Sequence, residues 1–201
     1  KERGVEYIEV RALDVNPFVD TGINLEQVYF LDIFLTYCAL TEHDELFCEQ
    51  QNTYEKNMDE VVIRGRDPAL RLDDQGKLKS IKLWGNSLFE EMLPVAKILD
   101  QANNTQKYQQ VLADELKKIN QPDLTPSAKI LNLLVDQNKS LTQVSLSLAK
   151  TYREGLLNQP YKLFNEQHFI NSVEKSHQDQ KAIEEADNVE FDQFLTDYFK
   201  R

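Results

Sequence analysis

Helix punctuation recurs along most of the chain and constrains its fold more than any other feature. Asn24 followed by Gln27, and Ser140 followed by Gln143, have the spacing of capping boxes. In such a box the first side chain accepts from the amide three residues on and the second reaches back. Thr125 before Pro126 marks another start, because proline has no amide to lose at the first helical position. Pro68, Pro122 and Pro160 stand where helices should stop. Between these marks apolar residues recur at three and four. The strongest case is 25–41, where Val28, Leu31, Phe34, Leu35 and Cys38 form the stripe and Tyr29, Phe30, Ile33, Tyr37 and Leu40 widen it. Further helices are expected over 45–64, from Asn86 through Leu99 with Pro94 as a kink or a later start, and from Thr105 through Ile119. Others should follow from Thr125, from Ser140 to Pro160, over 165–186 and over 188–199. The fold class is therefore mainly α, a helical bundle-like body.

Two stretches depart from that period. Residues 5–14 read VEYIEVRALD, and on a strand this places Val5, Tyr7, Glu9, Arg11 and Leu13 on one face and Glu6, Ile8, Val10 and Ala12 on the other. Residues two apart on a strand lie about 6 to 7 Å from each other, so Glu9 and Arg11 can converge on one ligand. The second stretch is ALRL, then DDQG, then KLKSIKLW, a β-hairpin near 69–84 turning at Gly76. The expected organisation is a strand and turn over 1–23 and a helical region over 24–201 that contains the hairpin.

Composition narrows the function. The 201 residues carry 34 acidic and 23 basic side chains, a net charge of −11, which argues against nucleic acid or an anionic membrane as partner. No apolar run reaches the roughly 20 residues of a membrane helix. Two cysteines, Cys38 and Cys48, need no disulfide framework and suit a reducing, cytoplasmic setting. A chain that opens on Lys1, with a strand a few residues in, is expected to be a piece of a longer protein.

Few residues can carry chemistry. His168 and His177 are nine apart on one helix, too far for a one-turn metal pair, and His43 sits among acidic neighbours. The six glycines form no phosphate loop. Gly65, Arg66, Asp67 and Pro68 read as a helix stop rather than an anion site, Trp84 as a packing anchor, and Cys38 as a buried thiol. Glu9 and Arg11 remain. They are either an ion pair on a half-exposed sheet or a site in which Glu9 offers Mg²⁺ a hard oxygen ligand and Arg11 holds a phosphoryl or carboxylate group.

Context separates the two. The string GVEYIEVRALDVNPF followed by INLEQVYFLDIFLTYCAL resembles the proteobacterial type of glutamate–cysteine ligase, and the likeness continues through IRGRDPAL, PDLTPSAKIL, AKTYREGLL and EEADNVEFDQFL. It spans the C-terminal portion of a family member. The resemblance implies an ATP-dependent ligase that makes γ-glutamylcysteine from L-glutamate and L-cysteine through γ-glutamyl phosphate, the first step of glutathione synthesis. It also implies Mg²⁺, or Mn²⁺ in its place, with Glu9 as a metal ligand and Arg11 as the catalytic residue at the phosphoryl and glutamate end. The strand then belongs to an antiparallel sheet related to that of glutamine synthetase. On this reading the remaining ligands lie N-terminal to the chain, the isolated chain is inactive, and strand 5–13 is disordered or self-associates with a second molecule. The rival reading is a stand-alone, non-enzymatic helical interaction module.

Overall fold

The computed structural model describes residues 7–42 and 47–200. Within them the order is α1 (Leu25–Leu40), α2 (Cys48–Arg64), β1 (Arg71–Asp74), β2 (Lys77–Ser80), α3 (Ile81–Asn103), α4 (Lys107–Asn120), a short 3₁₀ turn (Pro122–Leu124), α5 (Pro126–Gln137), α6 (Leu141–Leu157), α7 (Glu166–Ala186) and α8 (Phe191–Phe199). The chain divides into two compact units, Lys1–Glu154 and Gly155–Arg201. The first holds the core and the hairpin. The second comprises α7, α8 and the aromatic turn before them.

The core lies where α1, α3 and α4 meet. Ile33 is wholly buried there with Phe89, Met92, Val95, Ala96, Tyr108 and Leu112, flanked by Tyr29, Phe30, Tyr37, Leu88 and Leu99. The buried positions of α3 follow one helical stripe, and burying each such side chain contributes about 1.5–3 kcal/mol. Ring contacts specify the packing: Tyr29 meets Tyr108 edge to face at 4.8 Å, and Phe30 stacks on Phe89 at 5.6 Å. Gly85 permits the close approach of α3 to α4, since a Cβ there would lie 2.8 Å from Ile119 Cγ2. Pro94 does not interrupt α3. It lies on the exposed side, where water can satisfy the carbonyl that its missing amide leaves free.

Local capping explains most helix starts. Asn24 and Gln27 form their reciprocal pair (2.8 and 3.2 Å), Ser140 and Gln143 do the same, and Thr125 accepts from the Ala128 amide. Two starts differ from the sequence expectation. The α3 helix begins at Ile81 because the Ser80 hydroxyl captures the Leu83 amide at 3.1 Å, so strand β2 ends there and Asn86 and Trp84 are helical. Helix α4 begins under a distant cap: the carboxylate of buried Asp100 accepts from the Tyr108 amide (2.9 Å), the Gln109 amide (3.1 Å) and Gln109 Nε2 (2.8 Å). Thr105 contributes only a 3.3 Å bond from the Lys107 amide.

The hairpin pairs Arg71 with Ser80 through Asp74 with Lys77 around Gln75 and Gly76, both at positive φ as a two-residue primed turn requires. Its outer edge is closed by α2, whose Asn57 amide donates to the Asp73 carbonyl (2.7 Å) and accepts from the Asp73 amide (2.9 Å), as a strand residue would. Asn57→Ala in the full-length protein is expected to cost about 1–2 kcal/mol for these two partly buried bonds, read as a Tm lowered by a few degrees.

The expected opening strand has no pairing partner among the described residues. Val5 and Glu6 lie outside the described residues, and 7–14 make no ladder: the hairpin is the only sheet among the described residues. The physical reason is that alternation assigns faces but supplies no neighbour, and a strand's amides and carbonyls need one.

Candidate functional site

The site is built on the segment 7–13 and the loop that follows. Glu9 and Arg11 are on one side of the segment, as a two-residue period demands, with Arg11 Nη2 donating to Glu9 Oε2 at 2.9 Å. Their side chains are 60% and 82% exposed, so the pair is worth about 0–1 kcal/mol and opens cheaply to a ligand. Ile8, Val10 and Leu13 are exposed as well, so neither face of the segment is covered among the described residues.

Downstream the chain becomes firmly held. Asn16 closes the loop to Gly22 through its amide (2.7 Å), accepts from the Phe18 amide (3.0 Å) and donates from Nδ2 to Gln27 Oε1 (2.8 Å). Gly22 has φ +76°, and a Cβ there would press Val15 at 3.0 Å. From α6 the Tyr152 hydroxyl donates to the Pro17 carbonyl at 3.0 Å. Helix α1, which starts at this loop, is tied to the core by two tyrosine hydroxyls. Tyr37 donates to Glu91, a bond that with burial raises its pKa, and Tyr108 donates to Asp32 at 3.4 Å, its pKa raised by burial and then by that carboxylate. Both phenols therefore stay protonated donors through neutral pH.

The other candidates resolve into structure. Asp67 accepts from Arg64 (2.8 Å) and from the Ala69 amide (2.8 Å), which together hold its carboxyl below the usual range, so the turn after α2 satisfies itself. Trp84 is half-buried with Lys79 Nζ 5.6 Å above its ring. His168 stacks on Phe164 at 4.1 Å, His177 is exposed on α7, and His43 lies outside the described residues. No three carboxylate, histidine or cysteine groups gather for a metal among the described residues, and no helix there is long and apolar enough to cross a membrane. Cys38 is half-buried and Cys48 exposed, both as thiols. Sequence reasoning missed the parts played by Asn16 and Tyr152: the Asn16–Gln27 and Tyr152–Pro17 contacts join residues whose proximity no local spacing encodes.

The described residues thus present a carboxylate and a guanidinium together on an uncovered segment at the foot of a helical body. Comparison with known proteins shows what this chain is similar to. The glutamate–cysteine ligase family model matches residues 1–61. The glutamate–cysteine ligase of Pseudoalteromonas translucida is 36% identical over 196 residues, covering 98% of this chain and 37% of the relative. That of Alcanivorax borkumensis is 37% identical, covering 99% and 38%. A crystal structure of glutamate–cysteine ligase from Francisella tularensis in complex with AMP superposes with a TM-score of 0.83 at 26% identity, over 98% of this chain and 39% of that one. The chain is thus a relative of the glutamate–cysteine ligases, and it spans about two fifths of the length of the curated relatives it matches.

Proposed function

We propose that the chain serves as part of an ATP-dependent ligase joining the γ-carboxylate of L-glutamate to the amine of L-cysteine in the cytoplasm. Residues 1–23 act as the catalytic strand and turn, within an antiparallel sheet like that of glutamine synthetase, and 24–201 as the helical region that follows them in the chain. The observation that carries this reading is the uncovered 7–13 segment, with Glu9 and Arg11 paired on one side and Gln27 of α1 and Tyr152 of α6 anchoring the loop at its foot. Helix α1 supports it: the helix is apolar on every side, yet Val28, Phe34 and Leu40 are exposed, as expected of a surface that further protein covers. Segment 5–13 pairs there with a strand from the rest of the protein or from a second molecule.

In the reaction, the γ-phosphoryl group of ATP passes to a γ-carboxylate oxygen of glutamate, giving γ-glutamyl phosphate and ADP. The cysteine amine then attacks the acyl carbon, the C–N bond forms, the C–O bond to phosphate breaks, and the amine loses a proton. Transfer between two anions needs fixed positive charge, which the always-protonated, fork-shaped Arg11 supplies at the phosphoryl and glutamate end. Glu9 alone does not fit Mg²⁺ or Mn²⁺, since such an ion needs several fixed oxygen ligands and the described residues gather none beside it. It brings one ligand to a site completed elsewhere in the protein.

The purified 201-residue chain is accordingly expected to form no γ-glutamylcysteine from ATP, glutamate and cysteine, whereas the full-length protein does and its Glu9→Ala variant does not. Product formed by the isolated chain, or by Glu9→Ala at the unmutated rate, would sink this reading.

A further inference from the structure

We infer that Asn16 and Tyr152 are positioning residues for Arg11, setting the register with which its segment enters the site. This rests on the ligase reading of Arg11 above. Residues 7–15 have no backbone hydrogen bond within the described chain, so the nearest fixed point is the loop that begins at Asn16. Asn16 spends every polar group of its side chain there: Oδ1 takes the Phe18 amide at 3.0 Å and Nδ2 gives to Gln27 Oε1 at 2.8 Å. Gln27 Oε1 also takes the Asn24 amide at 3.2 Å, so one oxygen serves both the α1 cap and the loop, and this sharing fixes which way the Gln27 amide faces. Across the loop, the Tyr152 hydroxyl grips the Pro17 carbonyl at 3.0 Å from 135 residues away.

Register matters because the side-chain period of a strand is two. A slip of one residue at the foot would carry Glu9 and Arg11 to the opposite face and bring Ile8 and Val10 in their place. A loop pinned from α1 on one side and from α6 on the other removes that freedom before any strand pairing forms.

Asn16→Asp keeps the acceptor for Phe18 but removes the donor to Gln27, setting oxygen against oxygen, and Gln27 cannot turn without abandoning Asn24. Tyr152→Phe removes one hydroxyl and leaves the ring. In the full-length protein each is expected to lower kcat for γ-glutamylcysteine formation by about tenfold or more, with KM for ATP within about twofold. The fall in Tm should not exceed that of Asn57→Ala, which weakens the hairpin and retains kcat. Added to Arg11→Ala, either change should cost clearly less activity than it does alone, because the part of its effect that passes through the guanidinium is already lost and only the part that passes through Glu9 remains. Wild-type kcat in both variants would overturn the inference, as would an equal loss in the Arg11→Ala background. Full activity in Arg11→Ala itself would overturn the ligase reading of Arg11 and this inference with it.

Discussion

Arg11→Ala in the full-length protein is expected to lower kcat/KM for γ-glutamylcysteine formation by about a hundredfold or more, with Tm almost unchanged. The magnitude follows from what the guanidinium does in the proposed reaction: removing one preorganised donor from developing charge typically costs about 10²–10³ in rate. The unchanged Tm follows from its surroundings. Its side chain is 82% exposed and bonds only to Glu9, so little native packing is lost. Arg11→Lys keeps the charge but not the two-pronged donor, and should recover only part of the rate. A coupled assay of phosphate release alongside a thermal melt separates the two quantities. Wild-type kcat/KM in Arg11→Ala would remove this residue from the chemistry, and a collapse of Tm would make it structural.

The second large effect is on stability. Asp100→Ala should destabilise the full-length protein by about 3 kcal/mol, read as a lower urea midpoint with an unchanged slope. Asp100 is 4% exposed and its carboxylate holds two α4 amides and the Gln109 side chain, at a helix end that favours a carboxylate. Alanine leaves the Tyr108 amide without its acceptor beside the core and opens a small void. Asp100→Asn keeps the shape and one acceptor oxygen but turns a donor toward a donor, so it should fall between wild type and alanine. A ΔΔG below about 0.5 kcal/mol for Asp100→Ala would show that Gln106 and Thr105 cap α4 adequately by themselves.

The two tests bear on different layers of what could be read in advance. Capping at Asn24, Thr125 and Ser140 was legible because donor and acceptor lie three residues apart, a distance the helix itself dictates. The hairpin turn was legible from Gly76, and the shared side of Glu9 and Arg11 from the two-residue period. The helix expected from Asn86 starts six residues after Ser80 in the sequence reading but at Ile81 in the structure, because the Ser80 hydroxyl already caps the Leu83 amide. Thr105 was misread because the acceptor that serves α4 comes from the end of α3, across a left-handed turn at Asn104.

The amino-acid sequence by itself determined the helical class, most helix starts, the hairpin and the side that Glu9 and Arg11 share. These depend on interactions within one or two turns, where covalent geometry sets which groups can meet. Only the tertiary structure decided that α1, α3 and α4 share a core, that Asp100 caps α4, and that Asn16 and Tyr152 clamp the loop below Arg11. It also decided that 7–13 forms no ladder among the described residues, because strand pairing is settled by which neighbour is present and no local pattern carries that information.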